Sequence, residues 1–285
     1  MVGSIMTISE KLAFLKEGFE KRQILQRESK GIEEVELLKE MTKITEEVYG
    51  STSNQTINIL NELGGSAKYI GEYELAIESI TRAKDILADK FSKDSIPYAT
   101  TCLNLAEVYR FANKFDEIEK MYLEVIRVYK ANDMENSYEY AGVCNNLGLF
   151  YQDTNNANEA LKLHLISYDI LKDMQDSKIA FATTLNNLGV VYRTLGDIEK
   201  SDKCIDECFE IYKKEVGENH SMYSAALNNL AVAMFSKGQF EKSLELFNKS
   251  LVICKDSFGE NSRSYQNLME NIKVVEETME MRNKK

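Results

Sequence analysis

Asparagine is the residue type whose recurrence and chemistry coincide in this sequence. Asn104, Asn146, Asn187, Asn229 and Asn271 follow one another at intervals of 42, 41, 42 and 42 residues. A primary amide carries donors and an acceptor in one plane. Amides set at a regular pitch can pair with the N–H and C=O groups of an extended peptide without reading its side chains. They can equally bond neighbouring helices and brace an array. Asparagine is a mediocre residue in a helix interior, so each of these positions needs a reason. The sequence leaves both reasons open.

Other reactive groups are sparse. The five cysteines, Cys102, Cys144, Cys204, Cys208 and Cys254, are odd in number and their spacing is not that of a disulfide framework. A reducing, cytoplasmic setting is the simple reading. Cys204 and Cys208 lie one helical turn apart, but a closed metal site needs further ligands that the neighbourhood lacks. No metal and no cofactor are implied. The two histidines, His164 and His220, have no catalytic partner in the pattern. There is no phosphate-cradling glycine loop and no nucleophile elbow. No catalytic residue is assigned, and an enzyme is not expected. Arg110 and Arg193 recur near the end of one helix stripe, where they could meet an acidic ligand or stand solvated.

The elements that must position these residues follow from the period. Leu63, Leu105, Leu147, Leu188 and Leu230, with Ile272 in register, mark steps of 42, 42, 41, 42 and 42 residues. Around them recurs one phrase, Leu185-Asn186-Asn187-Leu188-Gly189 and Leu227-Asn228-Asn229-Leu230-Ala231. Eight residues past each leucine stands Gly71, Asn113, Asn155, Gly196 or Gly238, each suited to the left-handed backbone that ends a helix. A second amphipathic helix follows, as over Ile198–Lys214 and Phe240–Lys255. Self-similarity at this period predicts stacked helix pairs, each burying its apolar face on its neighbours. Before the array, helices are expected over residues 8–28 and 33–48, the second ending at Gly50. After it, residues 263–281 form a single polar helix carrying Glu276, Glu277 and Glu280, the kind of end a solenoid needs for solubility. Helical periodicity turns Leu185, Leu188, Gly189 and Tyr192 toward the core, and Thr183, Asn187, Val190 and Thr194 onto a second stripe.

Composition narrows the class. One proline and no tryptophan in 285 residues point to an almost wholly helical chain. Hydrophobic residues make up 44% and charged residues 28%, enough to bury a core in a water-soluble chain. The net charge of −11 argues against nucleic acid or an anionic membrane as partner, since both need a basic face. No apolar run is long enough to span a bilayer, and Met1–Met6 lacks the features of a secretory signal. Richness in Lys, Asn, Ile and Glu has the flavour of an AT-rich bacterial gene.

These motifs resemble the tetratricopeptide repeat family, in the longer variety found in kinesin light chains. The resemblance rests on Leu185, Leu188, Gly189, Tyr192, Gly196, Ser201 and Cys208, on Leu60, Leu63, Gly64, Ala76 and Ala83, and on the linker Gly217-Glu218-Asn219-His220-Ser221. The proline expected in that linker is absent there, and Pro97 stands at the equivalent place of an earlier unit. The resemblance implies an all-α, right-handed superhelical solenoid of antiparallel helix pairs with a C-terminal capping helix. It implies a degenerate pair over 8–50, five units at about 54–92, 96–132, 138–175, 179–216 and 221–258, and a cap over 263–281. It further implies that Thr183, Asn104, Asn146, Asn187, Asn229 and Asn271, with Arg110 and Arg193, line a concave groove that takes a peptide or partner segment. Members that clamp a C-terminal carboxylate place lysine at slots held here by Asn61, Leu103, Asn145, Asn186 and Asn228, and by Gly65, Glu107, Leu149, Val190 and Val232, so that clamp is not expected. The expected function is a non-enzymatic adaptor with a protein or peptide partner. The alternative is a self-assembling structural or peptide-responsive regulatory protein, with a homodimer formed through the last helix or through the N-terminal pair, whose apolar face is Ile8, Leu12, Leu15 and Phe19.

Overall fold

The computed structural model describes residues 6–27, 30–258, 260 and 263–283. Within them the chain forms thirteen α-helices and no strand. They are α1 (Ile8–Arg27), α2 (Gly31–Tyr49), α3 (Asn54–Ala67), α4 (Tyr73–Lys90), α5 (Ile96–Phe111), α6 (Phe115–Ala131), α7 (Tyr138–Asp153), α8 (Ala157–Leu171), α9 (Lys178–Thr194), α10 (Ile198–Glu215), α11 (Ser221–Ser236), α12 (Phe240–Phe258) and α13 (Arg263–Asn283). The expected end of the first helix at residue 28 lies outside the described residues, as do Gly259, Asn261 and Ser262 of the last linker. The second helix starts at Gly31 rather than at residue 33.

Local chemistry fixes the start and stop of each pair. Ser53, Ser95 and Ser137, spaced 42 apart, precede α3, α5 and α7, and each hydroxyl accepts the backbone N–H three residues on, at Thr56, Tyr98 and Tyr140. Before α11 the same slot holds His220, whose Nδ1 accepts the Met222 N–H at 3.1 Å. Before α9, after the shorter 41-residue step, a 3-10 turn (Gln175–Ser177) leads in without a side-chain cap. The turn residues behave as their types predict: Gly71, Gly196 and Gly238 have φ of 81°, 84° and 74°, and Asn113 and Asn155 have φ of 55° and 60°.

Close helix contact explains the small residue after each landmark leucine. A Cβ on Gly189 would stand 2.5 Å from Ile205 on α10, and one on Gly148 would stand 2.6 Å from the His164 ring on α8. Gly64 meets Ile80 in the same way. The partner always lies sixteen residues on, and the slot reads Ile80, Tyr122, His164, Ile205 and Phe247, all buried. His164 alone places an imidazole there. The first pair repeats the device with Gly18 against Met41, which marks α1 and α2 as a related pair despite their altered phase.

The helices divide into two compact units, residues 1–135 and 136–285. In the first, α1 to α6 pack in sequence around Val35, Leu38, Met41, Leu63, Ile80 and Leu105. A buried carboxylate ties its first three helices together: Glu34 Oε1 accepts from Arg22 Nε at 2.9 Å, Gln26 Nε2 at 2.8 Å and Ser66 Oγ at 2.8 Å. In the second, α7 to α13 pack in sequence around two clusters, one on Leu185, Cys208, Tyr223 and Leu227, the other on Ala231, Phe247, Leu268 and Ile272. Among the described residues, no helix is long and apolar enough to cross a membrane.

Candidate functional site

The first helix of each pair contributes the residues singled out by their spacing. In the second unit these are α7, α9, α11 and α13, and the amides of α9, α11 and α13 form a connected ladder. Asn271 Nδ2 donates to Asn228 Oδ1 at 3.2 Å, Asn228 Nδ2 to Asn229 Oδ1 at 3.3 Å, and Asn229 Nδ2 to Asn186 Oδ1 at 2.8 Å. The inter-helix rungs join the second asparagine of one helix to the first asparagine of the preceding one. The first unit has one such rung, Asn104 Nδ2 to Asn61 Oδ1 at 3.2 Å. Asn104, Asn229 and Asn271 are therefore part-buried and already bonded within the stack.

The ladder breaks at α7 and α9, where His164 intrudes. The rung there would run from Asn187 to Asn145. Instead Asn145 Oδ1 lies 2.8 Å from His164 Nδ1, and Asn145 Nδ2 donates to Thr184 Oγ1 at 2.6 Å. Thr184 donates in turn to the Ala180 carbonyl, so Ser167 Oγ, 3.1 Å away, donates to Thr184. On the other side of the ring, Gln152 Nε2 lies 2.7 Å from His164 Nε2. A neutral ring protonated on Nδ1 satisfies both contacts. Burial lowers the His164 pKa from its ordinary 6.5 to about 4, which holds that neutral form. Asn187 is left 6% exposed, and its Nδ2 finds no acceptor among the described residues.

The other expected positions separate in the same way. Asn146 is exposed. Thr183 donates to the Ile179 carbonyl at 3.0 Å and so accepts from the Tyr212 hydroxyl at 2.7 Å. Arg110 stays exposed, 3.9 Å from Glu107 and over the Phe111 ring. Arg193 folds back onto α10, donating to Ser201 Oγ at 2.9 Å and facing Asp202 at 3.6 Å. It is a packing residue in this structure, and Asn187 is a buried one. Tyr69 and Phe111 meet edge to face at 5.4 Å, with the Lys68 ammonium beside both rings. Burial raises the Cys204 and Cys208 thiols to about 11 and about 12, so neither is a ready nucleophile.

Among the spaces the helices leave open is a cleft of ≈ 750 Å³ in the second unit. Tyr138, Gly142, Asn145 and Asn146 of α7 form one wall, and Ile179, Ala180 and Thr183 of α9 the other, with Met222 of α11 beyond. Asp176, Lys178 and Glu215 stand among its lining residues. Periodicity had placed Asn146 and Thr183 on one stripe, and both line this cleft. It had not marked Tyr138, Gly142, Ile179 or Met222. Their signal is the same period read one and two turns earlier in each helix.

A family profile described as tetratricopeptide repeat matches residues 55–131 and 180–271, and a second profile of the same description matches 141–165. Together they span more than half of the chain. No match is found among curated proteins. Among solved structures, BtubC (BKLC) from P. vanneervenii is 22% identical with a TM-score of 0.63, over 74% of this chain and 91% of that one. Nearly identical TPR-like repeats of a kinesin light chain-type protein from Podosopora anserina are 17% identical with a TM-score of 0.59, over 71% of this chain and 96% of that one. At these identities the likeness is one of fold.

Proposed function

Because the chain belongs to the tetratricopeptide repeat family, in general a non-catalytic scaffold for protein interaction, we propose that it is a non-enzymatic adaptor that binds a peptide or partner segment on the face shared by α7, α9, α11 and α13. The observation that carries this reading is the open cleft walled by α7 and α9, with the exposed Asn146 amide beside it. An amide there can pair with the backbone of an extended chain. The rest of the ladder supports the reading indirectly, by holding the helices at a fixed pitch. The partner is a protein and not nucleic acid, given the net charge of −11, and the adaptor works in the cytoplasm. Its working parts are an N-terminal pair over 8–50, five repeat units over 54–258 and a capping helix over 263–281.

Affinity capture from the native host tests the assignment. Asn146→Arg combined with Ala225→Arg places bulky charge on the shared face at exposed positions. Leu165→Arg, exposed on α8, serves as control. Partners retained by the wild type and the control should be lost from the double variant. Retention by all three would sink the face assignment.

A second reading has its own observation. Ile8, Leu12 and Phe19 of α1 are 69%, 42% and 47% exposed, while Leu15 beside them is buried. Covered by a second copy, this strip would make the protein a homodimer. Light scattering at micromolar concentration decides it, and a monomeric mass there rejects the dimer.

A further inference from the structure

Three of the large apolar side chains left exposed in the second unit share one place. Tyr138, Ile179 and Met222 are 54%, 39% and 38% exposed, and all three line the ≈ 750 Å³ cleft. They come from the first turns of α7, α9 and α11, so the repeat delivers one apolar group per pair to the same edge. Gly142, one turn on from Tyr138, leaves the cleft wall bare, since a Cβ built there meets nothing within 4 Å. Asn145 and Asn146 bound the polar side. The charged lining residues are Asp176, Lys178 and Glu215. Lys178 Nζ lies 3.4 Å from Glu215 Oε1, so the cation is engaged and the net rim charge is negative.

We propose that this cleft seats one bulky apolar side chain of an extended protein segment whose flanking residues are basic or uncharged. The inference rests on the adaptor reading and adds the chemistry of the ligand. Tyr138, Ile179 and Met222, one from each of three helices, favour an apolar side chain that leaves water among otherwise polar lining. The missing side chain at Gly142 supplies the room. An acidic flank would meet Asp176 and Glu215 with only an already paired lysine to offset them, whereas a lysine or arginine flank would be attracted.

The test uses the full chain and capped, fluorescein-labelled alanine–serine peptides. Each carries a central leucine, phenylalanine or alanine, flanked by lysines or by glutamates, and binding is read by fluorescence anisotropy. The lysine-flanked leucine or phenylalanine peptide should bind at least about tenfold more tightly than its alanine counterpart. Gly142→Leu fills the cleft from a position with no neighbour to clash, so it should melt no lower than the wild type and lose that binding. Preference for glutamate flanks overturns the inference, as does binding that ignores the central residue or survives Gly142→Leu. In those outcomes the adaptor reading stands and is judged by the capture experiment. Failure of every probe to bind the wild type also overturns the inference. Self-association of the wild type that disappears in Gly142→Leu would assign the cleft to a second copy and overturn it too.

Discussion

Two amides in equivalent slots, Asn187 and Asn229, have different surroundings, and the difference is measurable. Asn229 donates to Asn186 and accepts from Asn228. Asn187 is buried with an Nδ2 that meets no acceptor. A buried donor without a partner costs its own desolvation, about 1–3 kcal/mol, and removing it recovers part of that. Asn187→Leu is therefore expected to cost at least about 1 kcal/mol less than Asn229→Leu in urea unfolding. Equal losses would mean that Asn187 is bonded after all. The cause of the difference, His164, makes its own prediction. Its folded pKa of about 4 lies below the ordinary 6.5, so the unfolded chain takes up the proton first as pH falls. The stability this ring contributes is whole above pH 6.5 and is lost as pH falls from there toward 4. Between pH 7 and pH 5 the wild type should lose about 2 kcal/mol more than His164→Phe. Urea midpoints at the two pH values read it. Identical losses in the two proteins would show that the ring is not held neutral.

Elements made of the same motif carry glycines with opposite roles, and the helix pair decides which is which. Gly189 lies against Ile205, and a Cβ there would stand 2.5 Å from its side chain. Gly189→Ala should overpack the α9–α10 contact and cost about 1–3 kcal/mol. Gly142 faces open space, so Gly142→Ala should raise stability by about 0.5–1 kcal/mol through helix propensity alone. Thermal melts of the two variants should move in opposite directions, and a shared direction would mean that α7 and α9 are not packed as described. The close-packed Gly64, Gly148 and Gly189 were legible in the sequence, because each follows a landmark leucine. The left-handed turns were legible from their residue types. The serine caps recur at the same pitch as the leucines, yet a hydroxyl in a linker has no apolar pattern to advertise it. The asparagine stripe was legible only as a direction. Rotation about the helix axis puts Asn187 and Asn146 on one face, but burial depends on how close the next helix lies and on what fills the slot sixteen residues later. Arg193 shows the limit for a long side chain, whose head can reach back to Ser201 and Asp202 from a position that points elsewhere.

A stack of repeats has a problem that no single pair has, since whatever packs inside the array is bare at its end. The slot that holds Gly64, Ala106, Gly148, Gly189 and Ala231 in the inner helices holds Lys273 in α13, and the slot of Tyr151, Tyr192 and Met234 holds Glu276. Lys273 is 74% exposed and 3.9 Å from Glu277, so the side of α13 that an inner helix would turn toward its own partner is charged instead. The adjacent stripe carries Leu268, Ile272 and Val275 into the core of the second unit. One helix thus continues the apolar pattern on one stripe and stops it on the next. The double variant Lys273→Ala with Glu276→Tyr restores the inner-helix pattern at the outer slots without touching that core. It should keep the helical circular dichroism of the wild type and gain concentration-dependent mass in sedimentation equilibrium, because the new apolar face can accept a helix from another copy. A double variant with the same mass as the wild type at every concentration would show that the charges at these slots do not keep copies apart.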